Sequence, residues 1–417
     1  MRIALVFPKS TFLIDPMVYP PLGLWYLGAR IEALGHTTEF FDLSEDELPK
    51  DGEFDQMWIS ATSPQVLEVR RIGEIVSKWT KTVTILGGGI TWSRPEGFVN
   101  LGYDVRMAGE ADQPHIVEKL LNDSVKRNSE SSSIVYSTDT RNLDHVLPPI
   151  RRWSKRYHAY LEDERTTSMF TSRGCPNGCA FCESGRNGTI WGSRVRFEPL
   201  ELVEQQLDEI KELGFGGVMF YDDILPIHKE RTRSIMKMLK DRNLIWRCFL
   251  RTDIIARLGG YSYLHEMKDA GLVEVLAGVE SGDNRIKKNI MKGTTIEQDT
   301  QALNWCKQLN IKFKASLILG LPGETRESLE RTREWILANR PDRVDVNTLI
   351  PFPGTPITAH PELFDLYWTE EFPEEFWYKG PRDETQGVVG TSSLTPNEIK
   401  AFHRELMKEV EEAGIPY

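Results

Sequence analysis

No apolar run in this sequence approaches the roughly 18 residues that mark a membrane span. The first one, Ile3 to Phe7, lasts five residues before Pro8 and Lys9, too short for a signal-peptide core. A cytoplasmic protein with no membrane span is therefore expected. Basic charge is not in excess either: 51 Lys and Arg face 62 Asp and Glu, for a formal net charge of −11. That argues against broad nucleic-acid binding, which needs a basic footprint. Cysteine is scarce. Of five in the chain, three fall within eight residues. Without a secretory signal, such a cluster reads as metal binding or catalysis rather than a disulfide framework. No internal repeat is visible.

The composition that remains, 40% hydrophobic and 27% charged over 417 residues, is that of a globular chain too long for one ordinary core. Strand candidates Arg2 to Phe7, Thr37 to Phe41, Met57 to Ala61, Val83 to Leu86 and Val105 to Ala108 alternate with helix candidates Gly23 to Leu34, Val66 to Trp79 and Pro114 to Leu121. Strands separated by helices imply right-handed crossovers and a parallel, doubly wound sheet, with Val105 to Ala108 as its last strand. Ligands of such sheets bind at the carboxyl ends of the strands, which makes Pro8 to Pro21, Ser60 to Gln65, Gly87 to Ser93 and Gly109 to Gln113 the informative loops.

A polar, serine-rich stretch from Asn122 to Ser133 opens an expected linker, which Pro148 and Pro149 close. From Thr167 the alternation resumes with a longer period, through strands Thr167 to Thr171, Gly217 to Tyr221, Trp246 to Arg251, Val273 to Val279, Lys312 to Leu319 and Arg343 to Leu349. Six strand-first units without a dinucleotide glycine fingerprint predict an incomplete (β/α) barrel with its chemistry at the strand carboxyl ends. The expected order is a doubly wound domain over 1–125, a linker over 126–165, a partial (β/α)6 barrel over 166–354 and a C-terminal helical extension over 355–417. The extension ends in a helix with a capping box: Thr395 at N-cap, Pro396 at N1 and Glu398 at N3.

The cysteines lie directly after the first barrel strand, as Cys175-Pro176-Asn177-Gly178-Cys179-Ala180-Phe181-Cys182. Thiolates are soft ligands suited to iron–sulfur or zinc sites. Three cysteines on a four-iron cluster leave one iron without a protein ligand and open to substrate chemistry. A structural zinc site is the alternative; it wants a fourth ligand at a short spacing, and the neighbouring sequence offers no obvious Cys or His. Cys248 and Cys306, within a strand and a helix, are expected as small core residues.

The spacing resembles the radical S-adenosylmethionine (SAM) superfamily, and the similarity continues beyond it. Strand ends carry Tyr221-Asp222-Asp223, Arg251-Thr252-Asp253, Gly278-Val279-Glu280-Ser281-Gly282, Gly320-Leu321-Pro322-Gly323-Glu324-Thr325 and Pro351-Phe352-Pro353-Gly354-Thr355-Pro356. The resemblance implies a [4Fe-4S] cluster on Cys175, Cys179 and Cys182 whose free iron chelates the amino and carboxylate groups of SAM. It implies that Glu280, with Ser281, helps hold the amino group or ribose. Ser316 to Gly320 and Leu349 to Pro351 would border the adenine. Tyr221 and Asp222 are candidates for substrate contact and a late proton transfer, although Asp222 can equally pair with a nearby Arg. Glu324 can simply cap the helix that follows it.

Residues 1–125 resemble the cobalamin-binding domain of one radical SAM subclass, through Pro20-Pro21-Leu22-Gly23-Leu24, Gly35-His36, Gly87-Gly88-Gly89 and Gly109-Glu110-Ala111-Asp112. Ser60 and Thr62 would hydrogen-bond the corrin tail, with Gly87, Gly88 and Gly89 approaching it closely and Glu110 bordering it. The D-x-H-x-x-G element of histidine-ligated cobalamin proteins is missing from Pro8 to Pro21. Its absence fits a His-off mode of binding, and it fits a domain that has lost cobalamin.

The resemblance therefore implies a cobalamin-dependent methyltransferase acting on an unactivated carbon or phosphorus centre of a small-molecule or peptide substrate. A low-potential donor such as flavodoxin or ferredoxin would supply its electron. A radical SAM oxidoreductase, cyclase or epimerase acting without net methyl transfer, or without cobalamin, is the first alternative. A non-catalytic metal- or corrin-binding sensor or carrier is the second. The aromatic tail (Trp368, Phe376, Trp377 and Tyr378) can close over the barrel mouth or pack on the barrel wall.

Overall fold

The computed structural model describes residues 1–11, 13–93, 101–122, 133–137, 142–185, 194–368 and 387–417. They fall into two units, one comprising Met1–His158 with Arg196–Gln206 and the other Ala159–Val195 with Leu207–Tyr417.

In the first unit, β1 (Arg2–Phe7), β2 (Thr37–Asp42), β3 (Gln56–Ser60), β4 (Val83–Gly87), β5 (Val105–Ala108) and β6 (Ser133–Tyr136) form one sheet in the order β2-β1-β3-β4-β5-β6. Every neighbouring pair is parallel. Ile3 to Val6 of β1 are fully buried, the continuous apolar run of a strand covered on both faces. α1 (Leu22–Ala33) packs close to β1 because Gly28 leaves no side chain between them: a Cβ there would stand 3.0 Å from Leu5 Cδ1. Gly35, at φ +84°, ends that helix in the left-handed conformation glycine adopts without strain. α2 (Val66–Val76), α3 (Gly89–Ser93) and α4 (Pro114–Asn122) supply the remaining helices. Strand order reverses between β1 and β3, so the loops after these two strands flank the switch point where such sheets take ligands.

Two features depart from the expectation. β5 is not the last strand, since β6 pairs beyond it; four residues behind a serine-rich stretch are too short to show periodicity. Part of the expected linker packs into the core instead. Arg151 is fully buried and donates to Gln206 at 3.1 Å. Trp153 packs on Phe40, and the Tyr157 hydroxyl donates to Asp42 at 2.5 Å. The serine-rich start of that stretch lies outside the described residues.

The second unit opens with an antiparallel hairpin, β7 (Ala159–Leu161) and β8 (Glu164–Met169), followed by two-residue strands β9 (Ser172–Arg173) and β10 (Arg196–Phe197), the latter in the first unit. β11 (Gly217–Phe220), β12 (Ile245–Leu250), β13 (Leu272–Glu280), β14 (Lys312–Leu319) and β15 (Arg343–Thr348) extend the sheet from β8 in parallel, in the order β15-β14-β13-β12-β11-β8-β7. It curls without closing. Along β14, Phe313, Ala315, Leu317 and Leu319 are fully buried, while Lys314, Ser316 and Ile318 between them are half-buried and share the other face.

The helices of the barrel are α5 (Leu200–Glu212), α6 (Lys229–Asp241), α7 (Thr252–Leu258), α8 (Tyr261–Asp269), α9 (Asn284–Asn289), α10 (Ile296–Gln308) and α11 (Arg326–Asn339). Cys248 and Cys306 are buried core residues, as expected. After α12 (Pro356–Ala359), the chain ends in α13 (Pro396–Glu412), whose capping box has the expected members: Thr395 Oγ1 accepts from Glu398 N at 3.3 Å, and Glu398 Oε2 accepts from Thr395 N at 2.8 Å. Among the described residues no helix is long and apolar enough to cross a membrane.

Candidate active site

The cysteine loop begins directly after β9 and is pinned from several sides. Gly174, at φ +99°, starts the turn. Its amide donates to Asp223 Oδ2 at 3.1 Å, and Asp223 is also hydrogen-bonded by Ser184 beyond the third cysteine. One carboxylate at the end of β11 thus braces both ends of the loop. Its neighbour Asp222 is fully engaged by the chain before the loop, accepting from Thr171 N at 2.8 Å, from Thr171 Oγ1 at 2.7 Å and from the Ser172 hydroxyl. Asp222 thus braces this stretch through hydroxyls and an amide, and the Arg231 charge also acts on it. Burial raises its pKa against those hydrogen bonds, and pushes Asp223 up to about 6.

At the loop's middle, Ala180 is fully buried in a cluster with Ile286, Ile290, Leu321, Leu349, Ile357, Leu366, Val388 and Val389. Its amide donates to Ile290 O at 2.9 Å. The C-terminal extension thus packs through Leu366, Val388 and Val389 against the cysteine loop; Trp368 is half-buried, and Phe376, Trp377 and Tyr378 lie outside the described residues. Cys179 is buried, while Cys175 and Cys182 are half-buried. Two nitrogens point at sulfur: Asn177 Nδ2 lies 3.3 Å from Cys175 Sγ, and Arg251 Nη1 lies 3.6 Å from Cys179 Sγ.

The end of β13 is irregular. Its register with β14 shifts between Gly278 and Glu280, and Glu280 has φ +65°. A buried, non-glycine residue held in that region is sterically costly and persists only where its surroundings impose it. Gly278 makes the bend feasible, since a Cβ there would collide with Glu280 Oε1. Glu280 Oε1 accepts from the buried Lys292 at 2.6 Å. Ser281 turns away from this cluster into the barrel wall, where its hydroxyl accepts from Asp283 N at 3.2 Å and meets Thr332 Oγ1 at 3.4 Å.

Ser316 is half-buried on the inner strand face, and Leu349 is part of the Ala180 cluster. Gly320, at φ +86°, turns the chain after β14, and its amide donates to Glu324 Oε2 at 2.5 Å, with Leu321 N at 3.1 Å. Glu324 therefore caps its own loop; Thr325 caps α11. Glu324 is fully buried, Oε1 has no partner among the described residues, and burial pushes its pKa up to about 8. Tyr221 stands between Phe170 and Phe249, with ring centroids 6.2 Å away on each side. All three rings are half-buried.

Lys292 was not singled out from sequence, and Arg251 and Asn177 were visible only inside their motifs, with no role toward the sulfurs. Arg251 and Lys292 lie 72 and 113 positions beyond Cys179 (251 − 179 and 292 − 179), so no local pattern links them to it. Asp223 was visible in its motif, but its brace on the loop was not.

In the first unit, Ser60, Thr62 and Gly87 to Gly89 share the carboxyl edge of β3 and β4, and none is buried. Gly88, at φ +93°, crosses so close to Ser60 and Ala61 that a Cβ would stand 2.8 Å from Ser60 Oγ. A Cβ at Gly89 would meet nothing within 4 Å. Thr62 belongs to a capping box with Gln65, and Gln65 ties this loop to the loop after β1 through Pro8 O at 2.5 Å and Ser10 Oγ at 3.1 Å. Glu110 is buried in a two-point ion pair with Arg196, with Nη1 3.1 Å from Oε2.

The sequence model of the radical SAM superfamily matches residues 169–336, the stretch from the last residue of β8 into α11. Residues 169–336 form a domain of the radical SAM superfamily. An uncharacterized methyltransferase of Pyrococcus horikoshii is 27% identical over 85% of this chain and 82% of its own length. An anaerobic magnesium-protoporphyrin IX monomethyl ester cyclase of Rubrivivax gelatinosus is 25% identical over 80% of this chain and 65% of its own length. Among solved structures, the radical SAM methyltransferase TsrM of Kitasatospora setae, with cobalamin and a [4Fe-4S] cluster bound, superposes with a TM-score of 0.66 at 16% identity, covering 89% of this chain and 81% of that one. At that identity it shows the shared fold.

Radical SAM enzymes carry a [4Fe-4S] cluster and SAM, and the residues present fit both. Three thiols on one loop are the soft donors a cluster takes. N–H groups aimed at two of the sulfurs, and buried cations at Arg251 and Lys292, suit the negative charge of a ligated cluster. Among the described residues, no three His, Cys, Asp or Glu side chains converge on one point fit for a single ion. A cluster takes each thiolate on a separate iron. Burial raises the Cys175 thiol and pushes Cys182 up to about 12, so ligation must displace these protons. Opposite charges at Glu280 and Lys292 suit the amino and carboxylate groups of SAM.

Proposed function

We propose that this chain is a cobalamin-dependent radical SAM methyltransferase that methylates an unactivated carbon or phosphorus centre. The observation that carries the reading is the pairing, in one chain, of a radical SAM barrel with a doubly wound sheet that carries Ser60, Thr62 and Gly87 to Gly89 at the carboxyl edge of β3 and β4. Both the Pyrococcus relative and the Kitasatospora structure are named methyltransferases, and the latter binds cobalamin.

The rim of the first unit suits a corrin tail on physical grounds. Gly89 leaves open space, Ser60 and Thr62 offer hydroxyls beside it, and the Gln65 bridge to Pro8 and Ser10 holds the two flanking loops together. Glu110 serves by fixing Arg196 rather than by reaching a ligand. When bound, cobalamin supplies a transferable methyl group, while the cluster and SAM supply the radical. The protein's own contribution is placement. Cys175, Cys179 and Cys182 hold the cluster, and Glu280 and Lys292 orient the SAM zwitterion. Tyr221, Phe170 and Phe249 offer a half-open aromatic face to the substrate, a small molecule or peptide, and exclude water from the reacting atoms. A flavodoxin- or ferredoxin-type donor provides the electron.

The Rubrivivax relative supports a second reading, radical cyclisation without net methyl transfer. Anaerobic incubation of reconstituted protein and a cell metabolite extract with methyl-deuterated SAM separates the two. A product gaining the labelled methyl supports methyl transfer. Formation of 5'-deoxyadenosine with no labelled product, and unchanged when cobalamin is omitted, contradicts it.

A further inference from the structure

Arg251 directly follows β12, with its guanidinium held on two sides. Nε and Nη2 donate to Asp253 at 3.1 and 3.3 Å, and Nη2 donates to the Lys292 carbonyl at 2.5 Å. The remaining nitrogen, Nη1, lies 3.6 Å from Cys179 Sγ. The side chain is 7% exposed. Lys292, fixed by the same carbonyl contact, is 8% exposed and paired with Glu280. The three sulfurs are therefore unequal. Cys175 receives a neutral amide from Asn177, whereas Cys179 receives a charged donor in a setting where water screens little.

We propose that Arg251 sets the reduction potential of the cluster by donating from Nη1 to Cys179 Sγ, with Lys292 adding a second positive charge nearby. The inference rests on the assignment of the cluster to Cys175, Cys179 and Cys182. Reduction adds one electron, from a low-potential one-electron donor of the flavodoxin or ferredoxin class, and so adds one negative charge to the cluster. No bond is made or broken in that step. A fixed cation and an N–H aimed at a cluster sulfur favour the more negative state, and hydrogen bonds to sulfur and local charge are established determinants of cluster potential. Arg251 is a positioning residue, acting through the cluster and not on the substrate; Lys292 also orients SAM, and its charge toward the cluster is read in the absence of SAM. The fork geometry is the reason for an arginine: Asp253 and the Lys292 carbonyl take the Nε and Nη2 corners, which aims Nη1 at sulfur, and a lysine offers no such fixed third direction.

The test is a redox titration of the full chain, reconstituted anaerobically without SAM and followed by the EPR signal of the reduced cluster. Arg251→Gln is expected to lower the equilibrium constant for one-electron reduction at least tenfold, a downward shift of about 59 mV. Lys292→Met shifts it in the same direction, and Arg251→Lys retains part of the wild-type value. Iron and sulfide content is measured on every sample. An assembled cluster whose potential equals wild type in Arg251→Gln would overturn the proposal alone. A wild-type chain that takes up no iron and sulfide would overturn the cluster assignment and the proposal together. If Arg251→Gln does not fold, Arg251→Lys decides the matter: an assembled cluster with the wild-type potential in that variant would overturn the proposal.

Discussion

Asp222 binds Thr171 twice, through its backbone amide at 2.8 Å and its hydroxyl at 2.7 Å. The carboxylate at the end of β11 thereby fixes the chain from which the cysteine loop departs. Asp222→Ala leaves a buried amide and two hydroxyls without their acceptor. We predict a loss of roughly 1–3 kcal/mol for the amide, read by urea denaturation, together with reduced iron uptake on reconstitution. Full stability and full iron content in this variant would show that the brace is dispensable.

Glu324 predicts a specific pH dependence of the metal-free protein. Its pKa stands near 8 when folded and near 4.3 when unfolded. The folded state therefore holds this proton more tightly, and stability falls as pH rises from about 4.5 to 8, by an amount on the order of a few kcal/mol. Glu324→Gln removes the titration, so its stability relative to wild type should improve progressively across that window. Parallel pH–stability curves for the two proteins would refute this.

The two neighbouring glycines of the rim should respond in opposite ways. Gly88→Ala adds a Cβ against Ser60 and Ala61 at a positive φ and should destabilise the first unit by at least about 1 kcal/mol. Gly89→Leu projects into open space, so it should leave the melting temperature unchanged while lowering cobalamin uptake. Undiminished uptake in Gly89→Leu would move the corrin site elsewhere.

Thr395→Ala removes the side chain that accepts from Glu398 N at the start of α13. A loss of about 1 kcal/mol is expected, with no change in cluster content, since the cap stands on the helix and not on the cysteine loop.

Much of the barrel was legible because long strands carry a clear period. Lys312 to Leu319 has the predicted bounds, and its alternation of buried and half-buried residues is visible in the letters. The α13 cap was legible because S/T-x-x-E chemistry is local. Short elements were not. β6, the β7 edge strand and helices α7 and α9 each have nine or fewer residues and take their conformation from what they pack against. The same limit applied to the site. Three cysteines in eight residues announce themselves, but the cations beside Cys179 come from the residue after β12 and from the turn after α9, and only the folded sheet brings them there. Asp222 illustrates a further ambiguity, since a strand-end carboxylate reads alike whether it faces a substrate or two hydroxyls.

The account depends on Cys175, Cys179 and Cys182 holding a cluster that cleaves SAM. The direct measurement is anaerobic reconstitution followed by reaction with SAM and dithionite. Wild-type protein should carry about four iron and four sulfide per chain and release 5'-deoxyadenosine, and alanine at any one of the three cysteines should abolish that release. A protein that binds zinc in place of iron and sulfide, or that forms 5'-deoxyadenosine equally well without these cysteines, would contradict it.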